Sequence, residues 1–347
     1  MIGKSRTKKA NIALFVPLNG CPHRCSFCDQ RTITGTAYQP TEEDVHNAVK
    51  TALSSKQKYD YEIAFFGGSF TAIDRNYMER LLSAAYGYVK SGQVGGIRIS
   101  TRPDAIDENV LDILKNYGVT AIELGAQSMS DNVLALNERG HDQNAVVDAS
   151  NMIKQHGFSL GLQMMTGLYG STAELDVYTA DRIIELAPDT VRIYPTVTLR
   201  GTRLGELFER GEYKPMPLSE SVNLCALLLD KFSEHNIEVI RLGLHYSEEL
   251  KRDILFDNYH PAFRELCENK IMLDRFFEMC EDAGIDRGGY LRVYVNPSCV
   301  SKFIGHGRAN IKRISERGLY VKTIPDSGVL PYNMRIEVQS GGVAIPK

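Results

Sequence analysis

The apolar stretch Asn11-Ile12-Ala13-Leu14-Phe15-Val16-Pro17-Leu18 runs almost directly into Cys21-Pro22-His23-Arg24-Cys25-Ser26-Phe27-Cys28. The first segment is too short for a core helix and reads as a strand bounded by a turn signal. The second carries three thiols at Cys-x3-Cys-x2-Cys spacing, with no fourth cysteine near. Thiolates so spaced can grip three corners of an iron–sulfur cube, and four-iron clusters normally take four such ligands. One iron would then be open to another ligand. Structural zinc is the plainer alternative. It needs four Cys or His ligands, and His23 is poorly placed beside Cys21 to close a tetrahedron with all three thiols.

Outward from this stretch, strand-like and helix-like segments alternate to about residue 245. Strands are expected at Ile12–Pro17, Ile63–Phe66, Ile97–Thr101, Ala121–Leu124, Phe158–Met164 and Thr190–Tyr194, short and mostly apolar on both faces, as parallel strands covered on each side are. Between them lie helical periods, such as the segment opened by Thr41-Glu42-Glu43-Asp44, with a cap and first-turn acids, and those over Asn76–Val89 and Asp107–Tyr117. Six βα units are too many for a small open sheet and too few for a closed barrel of eight. The economical fold is α/β, a partial (β/α)6 TIM-type barrel. The expected division is a barrel over 1–246, a helical connector over 247–286 and a small α+β module over 287–347. The module should contain strands at Tyr290–Val295, Leu319–Ile324 and Met334–Val338, with a helix over Ser301–Arg317 between the first two.

Composition excludes little. A net charge of −3 means that any nucleic-acid contact must come from a local basic face. No apolar run approaches the roughly 18 residues of a membrane span, and the apolar run behind the basic start is too short for a secretion signal. A cytoplasmic protein with no membrane partner is expected. Cys225, Cys267, Cys280 and Cys299 are scattered and read as buried, inert thiols.

The cysteine spacing, placed directly after the first strand of a βα barrel, resembles the radical S-adenosylmethionine (SAM) superfamily. The resemblance implies a [4Fe–4S] cluster on Cys21, Cys25 and Cys28, with Phe27 beside it. The open iron binds SAM, whose reductive cleavage gives a 5′-deoxyadenosyl radical. A one-electron donor such as flavodoxin or ferredoxin is implied as partner. Phe65-Phe66-Gly67-Gly68-Ser69-Phe70 ends the second strand where the superfamily receives the methionine amino group, which carries Gly67 and Gly68 over as cofactor residues; Ser69 stands where an acid is usual. Gln127, at the end of the fourth strand, and Arg139 match a glutamine and an arginine that contact the cofactor's ribose and carboxylate. Gln163 matches a third polar position in that pocket.

Longer runs narrow the family: Ser100-Thr101-Arg102-Pro103-Asp104, Glu123-Leu124-Gly125-Ala126-Gln127-Ser128, Asn137-Glu138-Arg139-Gly140-His141, Met165-Thr166-Gly167-Leu168-Tyr169-Gly170-Ser171-Thr172 and Arg192-Ile193-Tyr194-Pro195-Thr196, in that order. The series resembles the radical domain of the Elongator catalytic subunit family and its short bacterial relatives, over residues 10 to 245. That implies a transferase modifying a transfer RNA wobble uridine, with Arg102, Tyr194 and Arg200 on the substrate side as catalytic candidates. The chain departs from the family in its compact first cysteine interval and in showing no acetyl-coenzyme A signature after the barrel.

In the tail, Val300-Ser301-Lys302-Phe303-Ile304-Gly305-His306-Gly307-Arg308-Ala309-Asn310-Ile311-Lys312-Arg313-Ile314 resembles the core of a KH domain, whose Gly-x-x-Gly loop clamps nucleotide backbone. Arg308 replaces the second glycine. The resemblance implies RNA binding by Lys302, Gly305, His306, Gly307, Arg308, Lys312 and Arg313. Two rival readings are a coproporphyrinogen-dehydrogenase-like tetrapyrrole enzyme or haem carrier, and a non-catalytic iron–sulfur RNA-binding protein.

Overall fold

A computed structural model describes residues 9–17, 25–28, 38–56, 59–285 and 289–338. Cys21 and His23 lie outside the described residues. The chain groups into two compact units. The first runs to Pro217 and adds Phe232–Tyr259; the second comprises Leu218–Lys231 and the chain from His260 onward.

The first unit is built on an all-parallel sheet whose strands follow one another in chain order: β1 (Lys9–Val16), β2 (Asp60–Gly67), β3 (Gly96–Thr101), β4 (Val119–Gln127), β5 (Ser159–Thr166), β6 (Thr190–Pro195) and β7 (Glu238–Leu242). Sequential parallel order with a helix between strands is the topology of an open barrel. There is one strand more than the six expected. β7 escapes sequence reading because its five residues, Glu238-Val239-Ile240-Arg241-Leu242, carry two charges and no long apolar run. Local chemistry starts the helices as expected. Thr41 and Asp44 form a reciprocal capping box ahead of Glu42–Leu53, and Gly118 takes a left-handed φ of 70° after Glu108–Asn116.

Both faces of these strands were expected to be largely apolar, but one face carries charge. Arg98 on β3 donates to Glu62 on β2 at 3.1 and 3.2 Å and to Glu123 on β4 at 3.2 Å. Glu123, 1% exposed, also receives the guanidinium of Arg192 on β6 at 2.6 and 2.9 Å. Arg192 lies over the Phe66 ring, 4.8 Å from its centroid. Burial opposes its charge, but Glu123 and Tyr194 outweigh that and raise its pKa further. Room for Glu123 comes from Gly161, where a Cβ would sit 2.8 Å from the Glu123 Cγ. The opposite face is apolar, with Ile63, Ile97, Ile99, Ile122, Leu160 and Val191 fully buried.

The second unit holds a three-stranded sheet in the order β10-β8-β9: β8 (Tyr290–Val295), β9 (Tyr320–Pro325) and β10 (Met334–Val338). β9 runs parallel to β8, and β10 antiparallel to it. The helix Phe263–Asp282, expected as a connector, is part of this unit's core: Met272, Phe276 and Cys280 pack with Leu291, Val293, Val295 and Phe303. The expected single helix over Ser301–Arg317 is two, Val300–Ile304 and Ala309–Glu316, broken at Gly305 to Arg308. Asn310 locks that break, its amide donating to the carbonyls of Asn269 (2.8 Å), Phe303 (3.2 Å) and Lys302 (3.3 Å). Cys225, Cys267, Cys280 and Cys299 are all buried, and burial pushes the Cys280 thiol up to about 11.

Truncating Glu123 to alanine would leave two buried guanidinium groups without their shared carboxylate. The expected cost is about 3–5 kcal/mol, read as a lower urea midpoint at unchanged m-value.

Candidate cofactor site at the strand ends

The loop Cys25–Cys28 sits beyond the carboxyl end of β1, where barrel folds keep their sites. It turns back on itself through a Cys28 N–H to Cys25 carbonyl bond of 3.0 Å. Its anchor is Ser26, which is fully buried. The Ser26 hydroxyl donates to the Asn137 side chain at 2.6 Å, its N–H donates to the Asn137 carbonyl at 3.2 Å, and its carbonyl accepts from the Leu204 N–H at 2.7 Å. Asn137 in turn donates to the carbonyls of Val133 and Tyr169, both at 2.8 Å. One buried asparagine thus ties the cysteine loop to two later loops.

Two residues on, Arg139 is 7% exposed. One terminal nitrogen donates to the Cys25 sulfur at 3.0 Å and the other to the Gly125 carbonyl at 2.7 Å. The Phe27 ring centroid is 5.9 Å from its guanidinium carbon. Gly125 leaves room for two side chains, since a Cβ there would lie 2.9 Å from the Gln127 amide nitrogen and 3.3 Å from Arg139. Gln127 closes β4 at a register shift against β5, with a left-handed φ of 66° that costs a non-glycine residue energy. His141 follows, its Nε2–H donating to the Ala126 carbonyl at 3.3 Å. Burial pushes its pKa down to about 4, helped by the nearby charge of Arg139, so the ring is neutral at pH 7.

Three buried polar atoms in this group have no hydrogen-bond partner among the described residues: Gln127 Oε1, Arg139 Nε and His141 Nδ1. Orphaned buried polar atoms are rare and call for an explanation. Here they lie on residues converging around the cysteine loop, two acceptors and one donor. They fit a ligand bearing hydroxyls and a carboxylate, as SAM does.

The glycines after β2 also have a physical reason. Gly67 takes φ 114°, and a Cβ there would lie 2.8 Å from the Val16 carbonyl oxygen. The Gly68 N–H donates to that same oxygen at 3.0 Å. The pair therefore closes the end of β2 against β1.

The other expected site residues take these positions, with Gln163 on β5 in register with Gly125. Gln163 joins the charged sheet face, its amide donating to Glu123 at 3.0 Å and to Ser100 at 3.4 Å. Arg102 is 5% exposed, forks onto Asp104 at 2.6 and 2.8 Å, and donates to the Arg139 carbonyl at 3.2 Å. It holds the Arg139 segment in place and presents no free guanidinium to a substrate. Tyr194 is half-buried, its hydroxyl 3.5 Å from Arg192. Arg200 is exposed, and its N–H donates to the Asp253 carbonyl at 2.8 Å.

In the second unit, Lys302 is turned inward, donating to the Tyr332 hydroxyl at 2.5 Å and pairing with Glu268 at 3.2 Å. His306, Gly307, Arg308, Lys312 and Arg313 are exposed, and Gly305 is buried. Sequence reasoning did not single out Ser26, Asn137 or His141 as site residues. The signal for two of them was there, in the run Asn137-Glu138-Arg139-Gly140-His141.

The profile of the Radical SAM superfamily matches residues 15–182, and that of the Radical SAM C-terminal domain matches 188–272. A tRNA uridine(34) acetyltransferase of Dehalococcoides mccartyi is 26% identical over 241 residues, 59% of this chain and 52% of that protein. Human Elongator complex protein 3 is 28% identical over 266 residues, 63% of this chain and 49% of that protein. This chain therefore spans about half the length of these relatives. The solved structure of the archaeal Methanocaldococcus infernus Elp3 superposes with a TM-score of 0.59 at 20% identity, covering 81% of this chain and 64% of that one, which is a likeness of fold.

His141 makes stability pH-dependent in a stated direction. Its folded pKa lies below the unfolded 6.5, so its contribution is complete above pH 6.5 and is lost as pH falls towards 4. The loss is on the order of 3 kcal/mol, and His141→Gln should flatten that segment of a urea-midpoint-against-pH profile. The strand-end cysteine loop, the Gly67-Gly68 turn and the Gln127–Arg139–His141 cradle all fall within the first profile, the second continues it through β6 and β7, and the chain belongs to the radical SAM superfamily.

Proposed function

We propose that this protein is a radical SAM enzyme that modifies RNA, with transfer RNA as substrate and a wobble uridine as the target base. The single observation that carries the first half is the convergence of Cys25, Arg139 and the orphaned atoms of Gln127, Arg139 and His141 beyond the ends of β1 and β4. Cys21, Cys25 and Cys28 would hold a [4Fe–4S] cluster, with Gly67, Gly68, Gln127, Arg139 and His141 around the SAM. When bound, the pair supplies a 5′-deoxyadenosyl radical on receipt of one electron, from a donor of flavodoxin or ferredoxin type.

The chain's own part is positioning. Arg139 is pinned by Gly125 and Arg102, so a carboxylate meeting its remaining N–H finds a pre-oriented guanidinium. His141, neutral at pH 7, offers Nδ1 as an acceptor and adds no charge. Phe27 and the apolar cluster of Leu204, Leu207 and Tyr213 shield the loop from water.

The RNA half rests on the relatives named tRNA uridine(34) acetyltransferase, and on the tail. β8, two short helices and a parallel β9, with a basic loop between the helices, keep the order expected of a KH-like core. Arg308, in the place of the second glycine, adopts the left-handed φ of 63° that a glycine would favour. Its backbone therefore follows the glycine path while adding a cation suited to phosphate. Docking falls to His306, Gly307, Arg308, Lys312 and Arg313; Lys302, held by Glu268, serves the fold. The same relatives make the tetrapyrrole reading the weaker one. No helix among the described residues is long and apolar enough to cross a membrane, which fits action on cytoplasmic RNA.

Mass spectrometry of transfer RNA nucleosides from cells with and without the gene should show one modified uridine lost on deletion. Anaerobically reconstituted protein should release 5′-deoxyadenosine from SAM under a strong reductant. Cys25→Ala should abolish that release, and Arg139→Ala should lower it by about 10- to 100-fold, the cost of about 1.5–3 kcal/mol for a hydrogen bond to a charged group. Identical nucleosides together with no deoxyadenosine would overturn the proposal.

A further inference from the structure

Among the described residues, the sheet of the second unit is covered on one face only. Leu291, Val293 and Val295 of β8 are buried at 1%, 0% and 0% against the helix Phe263–Asp282. Strand alternation then turns Tyr290, Arg292 and Tyr294 to the other face. Register extends that face outward: Tyr290 pairs with Tyr320, Arg292 with Lys322 and Tyr294 with Ile324 on β9, while Arg335 and Glu337 of β10 lie opposite Tyr294 and Arg292.

This face is both aromatic and cationic. The Tyr290 and Tyr320 rings stack, with centroids 5.2 Å apart and planes 21° apart. Tyr320 is 44% exposed, and Arg292 and Lys322 on the next rung are exposed too. Arg335 covers the Tyr294 ring at 3.8 Å. The one acid on these rungs is Glu337, which accepts from the Tyr294 hydroxyl at 2.8 Å and pairs with Arg335. Beside the tyrosine pair, a groove of about 320 Å³ runs between the helix Ala309–Glu316 and β9, floored by Ile311, Ser315, Leu319 and Val321.

We propose that this face is a stacking platform for single-stranded RNA, with a base laid on the Tyr290–Tyr320 pair and the flanking phosphates met by Arg292 and Lys322. Arg335 is shared by two acids, Glu337 and Asp326, the latter at 3.4 Å, so Arg292 and Lys322 carry the excess positive charge that suits a polyanion. Two adjacent phenol rings offer π-faces that only an unpaired base can meet, because a duplex buries its own. The platform is a different surface from the loop Gly305–Arg308, and it rests on the function proposed above only for the class of its partner.

The test uses the full-length, cluster-reconstituted protein, a fluorescein-labelled single-stranded RNA oligomer and the same sequence as a duplex. Anisotropy should show preference for the single strand. Tyr290→Ala and Tyr320→Ala should each weaken it about tenfold or more, and Tyr320→Phe should stay within about twofold. The chain has no tryptophan, so Tyr320→Trp installs a unique probe on the platform whose fluorescence the single strand should quench. That readout decides the matter even where an alanine variant fails to fold. Folded alanine variants with wild-type affinity, an unquenched tryptophan, a preference for the duplex, or no RNA binding at all would each overturn the platform. Normal single-strand binding by Tyr320→Ala with the nucleoside change intact removes the platform alone; an unchanged nucleoside profile removes the enzymatic reading and leaves the oligomer result to judge the platform.

Discussion

The buried guanidinium of Arg139 is the contact on which the first unit's site depends. It bridges a sulfur on the loop after β1, 114 positions before it in the chain, and a backbone carbonyl on β4. A buried cation is expensive without several good partners, so the surroundings are arranged to provide them. Gly125 is without a side chain, leaving space for both Arg139 and Gln127. Gln127 accepts a left-handed backbone to end the strand there. Arg102, itself neutralised by Asp104, holds the Arg139 carbonyl from behind. Asn137 secures the cysteine loop from the same segment. Loss of any one loosens the sulfur contact by a different route.

The charged face of the sheet is a second constraint of the same kind. Glu62, Arg98, Glu123 and Arg192 alternate in sign across β2, β3, β4 and β6, so each interior charge has an opposite neighbour. Gln163 satisfies a remaining carboxylate oxygen from β5. Such a network contributes little net stability compared with apolar packing of the same volume, but removing one member leaves the others exposed to the full desolvation cost. It commits the polar side of the sheet to one side-chain arrangement, a rigid floor beneath the strand-end site.

The second unit divides its residues differently. Its sheet spends its apolar residues on one face, against a helix that sequence alone assigns to a connector, and keeps tyrosines and cations for the other. Within its loop, Gly305 is required by a close approach, because a Cβ would fall 2.8 Å from the Asn310 nitrogen. Gly307 and Arg308 are both left-handed and exposed, and a Cβ on Gly307 would meet nothing within 4 Å. Positions whose geometry exceeds the needs of packing are where recognition is expected.

What could be read without coordinates follows from how local each signal is. The cysteine spacing, the capping box at Thr41, the Gly67-Gly68 turn, six of the seven parallel strands and the three tail strands depend on near neighbours or on periodicity, and those are written in the chain. β7 is invisible at that level because its apolar content comes from its place beside β6, not from its own pattern. Arg102 and Lys302 resemble ligand-binding cations in sequence, since a sequence shows charge but not the carboxylate that folding brings against it. For the same reason the sequence shows Gln163 as a polar residue but not the Glu123 carboxylate its amide meets. Sequence by itself determined the barrel class and the residue types of the site. Tertiary structure decided which of those polar groups are spent on one another and which, at Gln127, Arg139 and His141, keep an atom unpaired among the described residues, because only three-dimensional proximity settles where a buried hydrogen bond is made.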